Sequence, residues 1–244
     1  LIVAPADHLI MQTDKFASTI FSAIESANAG RIATIGISPT RPDTGYGYIE
    51  FEASSELKAN DCVEVQQFRE KPNLETAKQF VAAGNFYWNS GIFIWKSSTI
   101  LNALKEFQPS LFALFAEELS AYNTPKEQVF VNHAFATCED ISVDFAIMEH
   151  AKNIDVVLAS FDWSDLGTWG SLDTHLSKDS ENNSIVGNST HLFNSKNCII
   201  NIPNGNEAII DGLDGYIVVQ SDNRLMILKK ENEQELKQFL KKLS

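Results

Sequence analysis

The chain has 244 residues, with 19 Lys and Arg against 32 Asp and Glu, for a formal net charge of −13. Hydrophobic residues make up 44% and charged residues 21%, a globular composition long enough for one large domain or a domain with a small companion. The acid excess argues against nucleic-acid recognition through a basic face, and no apolar run approaches the roughly 20 residues that span a bilayer, so neither nucleic acid nor membrane is an expected partner. The 3 cysteines, Cys62, Cys138 and Cys198, lie far apart, which excludes a disulfide scaffold and a thiolate zinc site and fits a reducing, cytoplasmic compartment.

The opening Leu1–Ala4 stretch is apolar and reads as a buried strand. Chain termini normally lie at the surface, so a core strand at the first residue predicts further sequence upstream. Pro5-Ala6-Asp7-His8 follows, and then a helix. Thr13 or Asp14 is its expected N-cap, Phe16, Ile20, Ala23, Ile24 and Ala27 form its apolar face, and Gly30 is its left-handed stop. Ile32–Ile37 reads as a second buried strand. Strand, helix and strand in succession predict a βαβ unit and a parallel α/β sheet.

Residues 38–48 carry prolines and glycines and read as a loop. Strands are expected at 48–53 and 62–69, then a helix at 74–83 between Asn73 as cap and Gly84 as stop. An aromatic strand at 86–95 is broken at Asn89-Ser90-Gly91. Helices are expected at 97–106, 109–121, 143–151 and 169–176, with a strand at 154–159. Near residue 180 the composition changes to short β-rich pieces separated by Asn, Gly and Asp. Val186, Leu192 and Cys198 are evenly spaced, which hints at β-helix coils. A final helix from Asn232 to Leu243 places Leu236, Phe239, Leu240 and Leu243 on one face. The expected division is a main domain over 1–179 and a small β domain over 180–244.

Asp7 stands just past a strand end, where ligands bind in open α/β sheets; its carboxylate suits a magnesium ion or a bond to its own turn. Asp165 stands beyond the strand at 154–159. It can complete a two-carboxylate magnesium site or cap the helix near Thr168, a task Thr168 can also fill. Pro72 disfavours the α conformation at Lys71, so Lys71 is expected to be extended and aimed into a cleft. Its ammonium suits a phosphate and Glu70 beside it suits sugar hydroxyls, although in isolation an exposed charged loop explains both residues better. Asn89 can read a polyol or satisfy a local backbone break. Gly45 and Gly47 either let backbone approach a ligand or make a plain turn. His133, His150, His175 and His191 show no spacing that suggests a triad or metal site.

Six segments in order change the weight of these readings: Val3–His8, Thr44–Ile49, Phe68–Pro72, Tyr87–Ile94, Ser142–Glu149 and Trp163–Trp169. Together they resemble the mannose-1-phosphate guanylyltransferases of the bacterial, monofunctional type, over nearly the whole chain. The resemblance implies a Rossmann-like nucleotide-diphospho-sugar transferase fold, with a mixed, mostly parallel sheet and a small C-terminal β-helix-like domain. It implies that Asp7 and Asp165 hold a catalytic Mg2+, that Lys71 binds the sugar phosphate, that Glu70 and Asn89 bind mannose hydroxyls, and that Gly47 offers its backbone to the sugar. Ser142 and Asp144 match a family motif bordering the sugar, without an assigned role. The family's glycine-rich triphosphate loop is not in this sequence, so the chain is expected to be N-terminally truncated and inactive by itself.

The implied reaction joins GTP and mannose 1-phosphate to give GDP-mannose and pyrophosphate. The attacking phosphate oxygen is already anionic, so no general base or covalent intermediate is required. Catalysis then rests on positioning and charge stabilisation. A homodimer through the β tail is a further expectation. The alternatives are another sugar-1-phosphate nucleotidyltransferase and a catalytically silent homologue that senses nucleotide sugars.

Overall fold

A computed structural model describes residues 1–242, apart from the Lys237 side chain. The elements run β1 (Ile2–Val3), β2 (Leu9–Ile10), α1 (Thr13–Asn28), β3 (Ile32–Ile37), β4 (Tyr48–Phe51), β5 (Cys62–Arg69), α2 (Leu74–Ala83), β6 (Phe86–Ile94), α3 (Ser97–Phe107), α4 (Pro109–Ala116), α5 (Glu127–Thr137) and β7 (Ile154–Leu158). Then come β8 (Trp163–Ser164), α6 (Trp169–Asp173), β9 (Ser184–Val186), β10 (Thr190–Phe193), β11 (Ile199–Asn201), β12 (Ala208–Asp211), β13 (Tyr216–Ser221), β14 (Arg224–Lys229) and α7 (Leu236–Lys241). They form two compact units. One holds Leu1–Ala6 and Ile10–Asp162, the other Asp7–Leu9 and the residues from Trp163 onward.

The first unit is built on a 6-stranded sheet in the order β1-β6-β3-β7-β5-β4, and β4 also pairs with β6. Among the described residues the β3–β7 ladder alone is parallel, and the other pairings are antiparallel. The expectation of a mostly parallel sheet is therefore corrected. So is the simple βαβ unit, because β6 lies between β1 and β3. Continuous apolar runs report burial on both faces, and β6 is buried at most of its positions while running against all its partners. β1 lies at the edge of this sheet, its two residues exposed and paired with Ile94 and Phe93 of β6, where a buried strand was the expectation.

The core packs Ile32, Ile49, Phe51, Phe68, Phe93, Met148, Ile154 and Val156 between sheet and helices. Each such side chain contributes about 1.5–3 kcal/mol on burial. α1 buries Ile20, Ala23 and Ala27 as its periodicity requires, and Gly30 follows it at φ +89°. Its N-cap is Gln12, without a side-chain bond, so neither Thr13 nor Asp14 fills that place; the helix starts earlier than its polar residues suggest. α2 begins and ends as expected: Asn73 accepts from the Thr76 N–H, and Gly84 closes it at φ +77°.

The helical segment between α3 and β7 departs more from the sequence reading. α4 stops at Ala116, with a separate 3₁₀ turn at Leu119–Ala121, and α5 has no strong apolar stripe to announce it. The helix expected at 143–151 is a π-helical turn over Asp144–Met148.

In the second unit β9, β11 and β13 stack in parallel, with Ser184 beside Ile199 and Ile199 beside Ile217. β10 and β12 form a second parallel ladder that sets Thr190 beside Ala208. Turn residues line up along the stack: Asn182 donates to Asn197, and Asn197 to Asp214, the two asparagines both in left-handed conformation. β14 folds back antiparallel on β13. α6 belongs to this unit because Asp173 accepts from Ser184 and pairs with Lys178 and Lys230. The terminal segment is a 3₁₀ turn over Lys230–Glu235 followed by α7; Leu243 lies outside the described residues.

Candidate active site

Strand register builds one cluster in the first unit. In the β4–β5 ladder Tyr48 opposes Arg69, and in the β4–β6 ladder Tyr48 opposes Trp88. One step further along, Gly47 therefore stands between Glu70 and Asn89. The Asn89 N–H donates to the Gly47 carbonyl at 2.8 Å. A Cβ on Gly47 would fall on Glu70 Oε2 and reach Phe68 Cζ at 3.1 Å and Asn89 Cβ at 3.4 Å, so a larger residue there must displace the Glu70 carboxylate.

Glu70 Oε1 holds Lys71 Nζ at 2.6 Å, with the Glu70 side chain 5% exposed and that of Lys71 54% exposed. Lys71 does not take the extended backbone expected of it. It sits at φ +44°, in the left-handed region, because Pro72 closes the ordinary helical well and the chain must turn from β5 toward α2. A lysine in that region costs about 1–2 kcal/mol and is the kind of local strain found where a side chain is aimed for a task.

The Asn89 amide is oriented by its surroundings. Oδ1 lies 2.9 Å from the Thr34 hydroxyl and accepts from the Gly91 N–H, while Nδ2 donates to Asp144 Oδ1 at 3.0 Å. Asp144 is thus part of the cluster, at the first residue of the π-helical turn. Burial, and secondarily the Glu70 charge, push its carboxyl up to about 6. The family resemblance implies a place for Asp144 at the border of the site but not its contact with Asn89, which joins residues 55 apart.

The loop leading to Gly47 is tightly pinned. The buried Asp43 carboxylate accepts from Gly45 N–H at 2.8 Å and from Arg41 Nη2 at 2.8 Å, and the Arg41 guanidinium lies 5.2 Å from the Trp88 ring centre. The Asp43 N–H donates to Tyr48 Oη, which in turn donates to the Asp43 carbonyl, both at 2.9 Å. Burial holds the Tyr48 phenol above its ordinary range, so it stays protonated as that donor.

A second cluster lies in the other unit. Asp7 and Asp165 both act electrostatically on the His8 imidazole, whose pKa is nonetheless lowered because burial outweighs them. His8 Nδ1 accepts from the Trp163 indole at 3.2 Å, and the rings meet edge to face at 5.2 Å. The imidazole is therefore neutral, with its proton on Nε2. The sequence reading did not single out His8, although its place beside Asp7 was the available signal.

Thr168 caps α6 through a reciprocal capping box with Ser171, so the cap does not need Asp165. Asp165 Oδ1 instead accepts from Gly167 N–H at 3.0 Å across Leu166, which sits at φ +51°. Among the described residues no group of three or more His, Cys, Asp or Glu forms a metal cluster. Two hard carboxylates around one neutral imidazole nevertheless fit a divalent cation that completes its shell with water and phosphate oxygens.

An apolar cavity of about 720 Å³ lies among α3, α4 and α5, lined by Leu104, Leu111, Phe115 and Phe135. It lacks the convergent polar groups of the Glu70 cluster, so chemistry rather than volume marks the site. No helix among the described residues is long and apolar enough to cross a membrane.

Comparison with known proteins bears on both clusters. The nucleotidyl transferase family model matches residues 1–182. The chain is 34% identical over 247 residues to a mannose-1-phosphate guanylyltransferase of Salmonella montevideo, covering 100% of this chain and 52% of that protein. It is 36% identical over 247 residues to the alginate biosynthesis protein AlgA of Pseudomonas aeruginosa, covering 100% and 50%. The chain spans about half the length of the curated relatives it matches. Among solved structures, a protein named mannose-1-phosphate geranyltransferase from Thermus thermophilus superposes with a TM-score of 0.81 at 26% identity, covering 100% of this chain and 69% of that one.

Proposed function

The chain belongs to the nucleotidyl transferase family, and we propose that the protein carrying it transfers GMP from GTP to mannose 1-phosphate, giving GDP-mannose and pyrophosphate. The observation that supports this reading best is the Gly47–Glu70–Lys71–Asn89 cluster. It sets an almost buried carboxylate, an oriented amide and a bare backbone, all suited to sugar hydroxyls, beside an exposed ammonium suited to a phosphate. The full-chain similarity to proteins named for this reaction points the same way.

Glu70 and Asn89 accept and donate to mannose hydroxyls, and Gly47 lets the ring approach the backbone. Lys71 leaves Glu70 to bind the sugar phosphate and hold its attacking oxygen in line with the α-phosphorus. That oxygen needs no base. Asp7 and Asp165 are the residues that would hold Mg2+, which when bound supplies charge neutralisation for the triphosphate. His8, held by Trp163, lies in the field of these carboxylates and, while neutral, does not compete with the cation for them. The stacked parallel ladders of the second unit are read as a short β-helix, with 180–244 as the tail and 1–179 as the catalytic domain. A cytoplasmic homodimer completes the proposal.

The reverse reaction tests it. The protein at its full natural length, given GDP-mannose, pyrophosphate and Mg2+, is expected to form GTP and mannose 1-phosphate. Failure to consume GDP-mannose while another nucleotide sugar is consumed would overturn the substrate assignment.

A further inference from the structure

We propose that Asp144 takes up a proton when a phosphorylated sugar binds, and so sets the pH range over which the site accepts its ligand. The proposal rests on the sugar-phosphate reading of the Glu70 cluster and extends it to a residue that reading leaves without a role.

Charge balance within the cluster carries the inference. Lys71 is the ammonium, and it faces the carboxylates of Glu70 and Asp144. A sugar phosphate brings more than one further negative charge near neutral pH. A site that already holds more negative than positive charge opposes that ligand unless one carboxylate is neutralised.

The structure singles out which one. Glu70 has the Lys71 ammonium as its counter-charge at 2.6 Å. Asp144 is bonded to the Asn89 amide and to its own backbone N–H, both uncharged. The Asn89 N–H bonds Oδ1 alone and neutralises neither oxygen.

The other neighbours do not supply a counter-charge. Glu149, at the end of the same turn, points Oε1 at the Glu70 backbone N–H, 3.2 Å away. α3 meets the turn with Ala103, Leu104 and Phe107, and His150 lies against the Phe107 ring. Burial has already raised the proton affinity of Asp144. When the ligand phosphate draws Lys71 away, Glu70 loses its counter-ion and the negative field on Asp144 grows, which raises that affinity further. The proton comes from solvent and leaves with the ligand, so no other reactant is involved.

Calorimetry of mannose 1-phosphate binding to the full-length protein at pH 7.5, in two buffers of different ionisation enthalpy, tests this. At that pH the free ligand is almost fully ionised and releases no proton on binding, and comparison with Asp144→Asn separates uptake by Asp144 from uptake by the bound phosphate. The wild type is expected to take up a measurable fraction of a proton per ligand. Asp144→Asn, which keeps an acceptor for Asn89, is expected to take up none. The variant should bind about as well as wild type at pH 5.5 and at least about threefold more tightly at pH 8.

Equal uptake by wild type and Asp144→Asn, or wild-type binding with no uptake, would overturn the proposal. Wild-type binding without uptake overturns it even if the variant does not fold. Failure of the wild type to bind any of a panel of sugar 1-phosphates would instead overturn the functional reading, and the proposal with it.

Discussion

Glu70 Oε2 occupies the space that a side chain at Gly47 would need. The two residues face each other across the β4–β5 register, and Glu70 in turn fixes Lys71. A single methyl group on one strand therefore reaches the charged group on the next. Gly47→Ala must push Glu70 off its place, at about 1–3 kcal/mol for overpacking. The expected outcome is a melting temperature lowered by a few degrees, with KM for the sugar phosphate raised about tenfold or more. A wild-type KM in a stably folded variant would show that the contact has no part in binding.

Lys71→Ala separates a binding role from a structural one. The ammonium is about half exposed, so its loss should lower stability by no more than about 1 kcal/mol after solvent screening. Use of the sugar phosphate should fall by about tenfold to a hundredfold while KM for the nucleotide stays put. Adding Glu70→Gln should restore the lost stability and leave the sugar-phosphate defect. Recovery of both would mean that the pair serves folding alone.

Asp165 and Thr168 make opposite predictions although three positions separate them in sequence. Thr168 is the α6 cap, so Thr168→Ala should lose about 1 kcal/mol of stability and keep most turnover. Asp165→Asn should keep the fold, since an amide oxygen can still accept from Gly167 N–H, yet lose turnover by about a thousandfold or more as a carboxylate of the metal pair. Chemical denaturation and initial rates on the two variants check this. A folded Asp165→Asn enzyme with near wild-type rate would remove Asp165 from the site.

The pinned loop before Gly47 gives a fourth test. Tyr48→Phe removes the hydroxyl that bridges the backbone N–H and carbonyl of Asp43. Leaving buried groups unpaired should lower stability by about 1–3 kcal/mol. Because the loop carries Gly47, KM for the sugar phosphate should rise modestly with kcat little changed. A kcat loss with unchanged KM would place Tyr48 in the chemical step instead.

Local physics was readable from the sequence where one residue decides it. Asn73 and Gly84 bound α2, Gly30 follows α1, and the spacing of Ile20, Ala23 and Ala27 finds the buried face. Partners chosen at long range were not readable. β6 gives no sign in its own residues that it runs antiparallel between β1 and β3. α5 escaped because its apolar residues circle the helix instead of lining one side. Lys71 was read as extended because proline restricts its predecessor without naming the alternative, and the left-handed region was the one taken. Within the candidate site, short motifs point to Gly47, Glu70, Lys71 and Asn89. The contacts of Asp144 and His8 need the fold, since their partners Asn89 and Trp163 come from elsewhere in the chain.

The most direct test of the account is pyrophosphate release by the full-length protein with Mg2+, crossing each nucleoside triphosphate with a panel of sugar 1-phosphates. The account predicts release with GTP and mannose 1-phosphate, and release from other pairs that is lower by about a hundredfold or more. Equal or faster release with a different base or sugar, or none from the folded protein with any pair, would contradict it.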